Sequence, residues 1–218
     1  AVQTVRKMIQ QVANSDANVL ILGESGTGKE LIAKTIHQVS VRQDKTFVAV
    51  NCASIPETLF EREFFGHHRG AFTGADRSNP GFFDRAHQGV LFLDEVTELT
   101  PGTQAKLLRV LQDGEYTPLG SNAPKQANVA IIAATNKNLE QEVKETRFRE
   151  DLYYRLNVVR IEIPPLRQRA DDIPLLAEHF FNKIRLKTAK AIEGISRETM
   201  AFLTHYAWPG NVRELRSA

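Results

Sequence analysis

A single cysteine, Cys52, excludes an internal disulfide framework and suits a reducing compartment. Beside the apolar run Phe47-Val48-Ala49-Val50 it reads as a small buried residue with no chemistry of its own. No apolar run approaches the ~18 residues that a membrane helix requires, and the N-terminus has no signal-peptide core. The expected location is the cytoplasm. Charge of one sign is missing too: a formal net charge of +2 gives no general argument for nucleic-acid or membrane binding, so any such contact must be local. His67 and His68 have no Cys or third His at ligand spacing, which argues against zinc. The remainder is ordinary. With 42% hydrophobic and 25% charged residues, 218 residues suffice for one αβ domain, or for a larger domain with a small appendage.

Against that plain background one stretch stands out, Gly23-Glu24-Ser25-Gly26-Thr27-Gly28-Lys29-Glu30, set between the apolar run Val19-Leu20-Ile21-Leu22 and the helix-like Leu31-Ile32-Ala33-Lys34-Thr35-Ile36. It reads as strand, phosphate loop, helix. Three glycines let the backbone turn its N–H groups onto phosphate oxygens, the helix N-terminus adds partial positive charge, and Lys29 adds a full one. The letters alone are weak, and a Gly-rich turn without a ligand is the alternative. Generic loops of this kind carry Ser or Thr after the Lys to hold Mg²⁺, whereas Glu30 stands there in this chain.

Taken in order, Val2, Val5, Met8, Ile9 and Val12 recur at helical spacing and predict an amphipathic helix ending near residues 14–16. The chain begins almost inside that helix, as expected of an excised domain. Phe47 to Asn51 predicts a short strand with a polar end, and Ser54-Ile55-Pro56-Glu57 predicts a helix start running to about Phe65. Gly66 closes it. In Gly70-Ala71-Phe72-Thr73-Gly74-Ala75 two glycines bracket one aromatic. The residues leave two readings open, a turn that tucks Phe72 into the core or a mobile loop that offers it to a partner. Val90 to Leu93 predicts a buried strand that delivers Asp94-Glu95 to the phosphate-loop edge of a parallel sheet, where Asp94 can hold Mg²⁺ through water and Glu95 can polarise an attacking water.

Thr100-Pro101 predicts a capped helix with Leu107, Leu108 and Leu111 on one face, and Gly114 to Asn128 a polar loop. Val129 to Ala134 predicts a third strand ending in Thr135-Asn136, a pair that can sense a γ-phosphate or simply cap the strand. Arg147, Arg149 and Arg155 read most simply as a solvated helix face, ahead of a strand from Val158 to Ile163. Pro164-Pro165 then breaks the chain. Beyond it the pattern is helical only, around Ile173 to Ile184, around Met200 to Tyr206, and from Asn211 with a capping-box pattern to Glu214. The expected division is an αβ nucleotide-binding core over residues 1–164 and a small, truncated helical lid over residues 165–218.

Taken together, GESGTGKE, GAFTGA, the LFLDE edge, AATN, FREDLYYRLNV and WPGNVREL resemble the central AAA+ domain of bacterial enhancer-binding proteins, the sigma-54-dependent transcription activators of the nitrogen-regulation type. The resemblance covers essentially the whole chain, and Glu30 matches it although it departs from the generic loop. It implies an α/β fold of the AAA+ P-loop class with a helical lid, and an ATP-driven, Mg²⁺-dependent ring, six or seven subunits in size, that remodels the closed complex of RNA polymerase with sigma-54. Asp94 and Glu95 are similar to the metal-organising acid and the water-activating base, Asn51 to a switch that holds Glu95, Thr135 and Asn136 to the first sensor, and Arg213 to the lid's second sensor. By the same resemblance Arg149 and Arg155 are arginine fingers reaching a neighbour's site, Gly70 to Ala75 is the loop that grips the sigma factor, and Gly114 to Asn128 is the second loop beside it. No DNA contact is expected from these residues. Two readings from other classes stand beside it: a nucleotide-gated module without turnover, and a general unfoldase that uses Phe72 as a pore aromatic.

Overall fold

The computed structural model describes residues 8–12, 15–188 and 194–218. All five apolar runs expected as strands lie in one sheet: β1 (Val19–Leu22), β2 (Phe47–Asn51), β3 (Val90–Asp94), β6 (Ala130–Thr135) and β7 (Val159–Glu162), in the order β2-β3-β6-β1-β7, every pair parallel. Two-residue strands β4 (Glu115–Tyr116) and β5 (Lys125–Gln126) form a separate antiparallel ribbon. The sheet strands read as continuous apolar runs because both of their faces are covered. Side chains alternate along each strand. Thus Leu20, Leu91 and Ile131 pack on one face while Val19, Ile21 and Phe92 pack on the other.

The first face is covered by α2 (Phe60–Phe65), α3 (Phe82–Arg85), α4 (Pro101–Asp113) and α6 (Glu150–Leu156), which contribute Phe64, Phe83, Leu107 and Leu152, all fully buried. The second face is covered by α1 (Lys29–Val39), through Ala33 and Ile36, and by helical residues 8–12, through Ile9 and Val12. Burying a Leu or Phe side chain of this size stabilises the fold by about 1.5–3 kcal/mol each, so this sandwich dominates the energetics. Short α5 (Leu139–Lys144) lies on the route from β6 to α6. After β7 the chain continues into α7 (Ile173–Thr188), α8 (Arg197–His205) and α9 (Asn211–Ser217), which share a small core of Leu166, Ile173, Trp208 and Leu215. This is the helical lid.

Helix α4 shows why local chemistry was readable. Thr100 Oγ1 accepts from the Thr103 N–H at 3.3 Å, Pro101 occupies the first turn, and Gly114 leaves the helix at φ 70°, a conformation that glycine adopts without strain.

Several expectations need correction. The helix expected from Ser54 to Phe65 is broken: Cys52–Ser54 and Glu57–Leu59 are 3₁₀ turns and only Phe60–Phe65 is α-helical, because Pro56, with no N–H to donate, holds an extended ψ of 138° between them. The polar stretch from Gly114 to Asn128 contains the β4–β5 ribbon, which pairs Glu115 with Gln126 and Tyr116 with Lys125. The capping box expected at Asn211 is displaced. Glu214 does reach back, but to the Gly210 N–H at 2.8 Å, and the Asn211 side chain is used elsewhere. Of the N-terminal helix, Val2 and Val5 lie outside the described residues.

Candidate active site

Parallel register brings the polar strand ends to one edge: Asn51 stands opposite Asp94, and Leu22 lies between Thr135 and Glu162. The phosphate loop leaves that same edge. Gly26 and Gly28 hold φ of 79° and 104°, and Gly28 is the N-cap of α1. Lys29 is 6% exposed, and its Nζ donates to the Gly23 carbonyl at 3.0 Å and lies 3.6 Å from Glu95 Oε1. Glu95 Oε2 accepts from the Asn136 N–H at 3.2 Å, and Asp94 Oδ1 accepts from the Glu95 N–H at 3.1 Å. Glu95 takes φ 52°, a left-handed conformation that costs a non-glycine residue about 1–2 kcal/mol. The strain turns the chain sharply after β3, so that consecutive carboxylates face the cradle.

Burial pushes the Asp94 carboxyl above the usual carboxylate range, with the neighbouring Glu95 adding to it and Lys29 opposing it. A carboxylate in that setting gains from a nearby cation. Glu30 does not offer one a ligand, since it is engaged on the solvent side with Lys34 at 2.6 Å. Among the described residues there is no group of three or more His, Cys, Asp or Glu side chains that could enclose a metal ion. The donor set fits Mg²⁺ instead, which keeps several waters and binds through one or two carboxylates together with phosphate oxygens.

Thr135 is fully buried, its hydroxyl 3.1 Å from that of Thr97 and accepting from the Lys137 N–H, while Asn136 is exposed at the cleft. Asn51 lies beside Asp94, but its Oδ1 accepts from the Ala53 N–H at 3.0 Å rather than engaging Glu95. Neither Arg149 nor Arg155 is hydrogen-bonded to the phosphate loop of its own chain. Arg149 forms a two-pronged pair with Asp151 (3.0 and 2.7 Å), and Arg155 is exposed near the uncovered Tyr154 and Val158. Cys52 is fully enclosed and burial pushes its thiol up, which leaves it inert.

From the lid, Arg213 Nη1 donates to Ser25 Oγ at 2.8 Å. Three further lid residues, none of which sequence reasoning assigned to the site, reach the loop: Arg167 on Glu24, Asn211 on Glu24 and Ser25, and Arg169 on the Thr27 carbonyl. Two clefts flank the loop. One of about 480 Å³ is mainly apolar and runs between α1 and the lid, lined by Ile9, Gly28, Leu31, Ile163, Leu176 and Val212. The other, of about 510 Å³, opens beside Gly23, Asn136, Tyr153 and Gln168.

Gly70 to Ala75 forms a tight turn on the same side of the molecule as the second loop. The Gly70 N–H donates to Ala75 O, and Gly70 and Gly74 carry φ of 81° and 93°. His67 bridges to both Asn79 and Leu119, and a Cβ on Gly120 would lie 2.7 Å from that of Ala71, so the two loops touch. Phe72 is neither tucked into the core nor free. It is 37% exposed, with its ring 5.0 Å from that of His67 and 6.0 Å from the Arg62 guanidinium.

Comparison with known proteins agrees with this arrangement. Residues 1–162 match the sigma-54 interaction domain, and residues 167–218 match an AAA+ ATPase lid domain. The chain is 51% identical over 218 residues to the transcriptional regulatory protein ZraR of Salmonella typhi, covering 100% of this chain and 49% of ZraR. It is 53% identical over 209 residues to the Nif-specific regulatory protein of Azotobacter vinelandii, covering 96% of this chain and 40% of that one. The solved structure of Brucella abortus NtrX in complex with ATP superposes with a TM-score of 0.92 at 38% identity, over 99% of this chain and 47% of that one. The chain thus spans about half the length, or less, of these relatives.

Proposed function

The chain belongs to the sigma-54-dependent activator family and carries its AAA+ P-loop domain, and from that premise we propose that it is an ATP-hydrolysing ring motor that grips sigma-54 and remodels the closed complex of RNA polymerase. The observation that carries this reading is the convergence of Lys29 and Glu95, 3.6 Å apart, at the sheet edge that also bears Asp94, Thr135 and the phosphate loop.

In this reading Gly23 to Glu30 hold the triphosphate with backbone N–H groups and Lys29. Asp94 would hold Mg²⁺, and the ion would supply positive charge to neutralise the phosphate oxygens. Glu95 takes the proton of the attacking water as oxygen bonds to the γ-phosphorus and the bond to the ADP oxygen breaks, releasing phosphate. Thr135 and Asn136 register the γ-phosphate, and the Asn136 contact with Glu95 supports that link. Asn51, one position away across the register, takes over Glu95 in another nucleotide state. Arg213 closes the site from the lid, residues 165–218, onto the core, residues 1–164. Arg149 and Arg155 act on the site of a second copy of the chain, a role supported by their exposure and by the lack of a hydrogen bond from either guanidinium to its own phosphate loop among the described residues. The ring has six subunits, with seven as the alternative, and works in the cytoplasm.

Gly70 to Ala75 couples hydrolysis to sigma-54, with Phe72 the contact and Thr73 the residue that sets the loop's working shape. A half-exposed aromatic between two left-handed glycines hides little apolar surface for its ordering cost, and a partner that buries it gives the sequence a physical rationale. Thr73→Ala is expected to keep ATP turnover within a few-fold and abolish promoter melting, since the loop offers no phosphate ligand. Phosphate release and open-complex formation are measured on one preparation. A parallel fall of both activities, or melting that persists, would sink the proposal for this loop.

A further inference from the structure

The lid is fastened to the phosphate loop through a junction centred on Glu24. Arg167 grips the carboxylate with both prongs of its guanidinium, Nη1 to Oε2 at 2.8 Å and Nη2 to Oε1 at 2.6 Å. Asn211 is fully buried and uses all of its amide: Nδ2 donates to Glu24 Oε2 and to the Ser25 carbonyl, each at 3.1 Å, while Oδ1 accepts from the Leu166 N–H at 2.7 Å. One side chain therefore ties the first turn of the lid, its last helix and the phosphate loop together. Asn211 has φ 54°, a backbone conformation in which Asn is among the best tolerated side chains. Packing leaves no slack, since a Cβ on Gly26 would lie 2.3 Å from the Gly210 carbonyl oxygen. The Arg213 N–H also donates to the Gly26 carbonyl at 3.3 Å. Arg167 first, and Asn211 second, hold the Glu24 carboxyl down to about 2, so it is ionised across the working pH range.

What the junction controls follows from the other side of the same residue. The Glu24 carbonyl accepts from Thr27 Oγ1 at 2.8 Å and from Lys29 Nζ at 3.5 Å. Pinning the Glu24 side chain thus orients a carbonyl that helps to place the cradle's own lysine. We propose that Arg167 and Asn211 are positioning residues that hold the phosphate loop in its binding shape through Glu24, so that lid orientation and nucleotide affinity change together. This inference rests on the reading that the loop binds ATP. Neither residue contacts Asp94 or Glu95, so the junction acts on binding and leaves the chemical step alone.

Asn211→Asp tests this in the intact protein, because it keeps shape and backbone tolerance, keeps the acceptor for Leu166, and sets a carboxylate against that of Glu24. Losing a hydrogen bond to a charged group and gaining a like charge is expected to raise the Kd for a fluorescent ATP analogue, and KM, by about 10-fold or more, with kcat within a few-fold. Glu24→Gln in the same chain restores a donor opposite Asp at 211 but gives up one prong of the Arg167 grip and leaves the Ser25 carbonyl without its donor, so it should recover part of that loss. A purely structural role would instead lower the melting temperature and the active fraction while leaving Kd and KM unmoved, and that result overturns the inference. So would strict additivity of the two substitutions. If Asn211→Asp fails to fold, Arg167→Gln on the exposed side of the junction carries the same expectation, and an unchanged Kd there overturns it equally. Lys29→Ala serves as the control. A parent chain that binds no nucleotide overturns the ATP reading and this inference with it, whereas a binding parent with an unaffected Asn211→Asp overturns this inference alone.

Discussion

Replacing Glu95 with Gln removes one charge at nearly constant shape, and the geometry around it predicts opposite effects on binding and turnover. Lys29 Nζ lies 3.6 Å from Glu95 Oε1, both side chains being less than one-fifth exposed. At an effective dielectric constant of about 20 that separation corresponds to roughly 4.6 kcal/mol of Coulomb attraction. Lys29 must give up much of this attraction to serve a phosphate, although the Gly23 carbonyl at 3.0 Å keeps hold of it in either case. If a third of the attraction reappears as phosphate affinity, about 1.5 kcal/mol, Glu95→Gln binds ATP about 10-fold more tightly. Turnover moves the other way. A glutamine cannot accept the proton of the attacking water, and loss of a positioned general base costs about 10²- to 10⁴-fold. Equilibrium titration with a fluorescent ATP analogue and single-turnover phosphate release read the two effects separately. Hydrolysis at the parent rate would refute Glu95 as the base. Affinity falling below that of the parent would refute competition between the carboxylate and the phosphate for Lys29.

Two further experiments probe the shared site and the core. Subunits carrying Arg155→Ala, mixed with subunits carrying Lys29→Ala, should recover hydrolysis that neither has alone, because an intact loop then meets an intact arginine from a neighbour; such arginines are worth roughly 10³- to 10⁵-fold where supplied in trans. No recovery at any ratio in confirmed mixed rings counts against Arg155. Gly89→Ala should destabilise the core, since its Cβ would lie 2.1 Å from the Thr46 carbonyl oxygen, against backbone that is itself bonded to Val90. Overpacking of this kind costs about 1–3 kcal/mol, which for a chain of this size lowers the thermal midpoint by roughly 2–12 °C. An unchanged midpoint in calorimetry would mean that the β2–β3 junction yields without cost.

Much of this protein was legible from residue order because its determinants are local. An apolar run covered on both faces announces a strand, Thr100-Pro101 announces a helix start, and glycines at 26 and 28 announce a loop that takes positive φ. The same locality put Asp94-Glu95 and Thr135-Asn136 at strand ends, and parallel register brought those ends to one edge. Local reading failed where a side chain's partner lies far along the chain. Asn211 looks like a helix cap from its neighbours, yet its amide is claimed by Glu24 and Leu166, which are 187 and 45 residues away. Arg167 carries no signal among its neighbours after the Pro164-Pro165 break, yet by geometry it belongs to the phosphate loop, 143 residues back. Phe72 offered the sequence two fates, and the fold leaves it out of the core, exposed beside His67 and Arg62. Sequence alone determined the five strands of the sheet and which chemical groups stand at their ends, since both depend on neighbours within a few residues. Only tertiary structure decided that the lid grips the cradle through Glu24, because a hydrogen bond between residues so far apart exists only once the sheet and the lid have packed and brought them together.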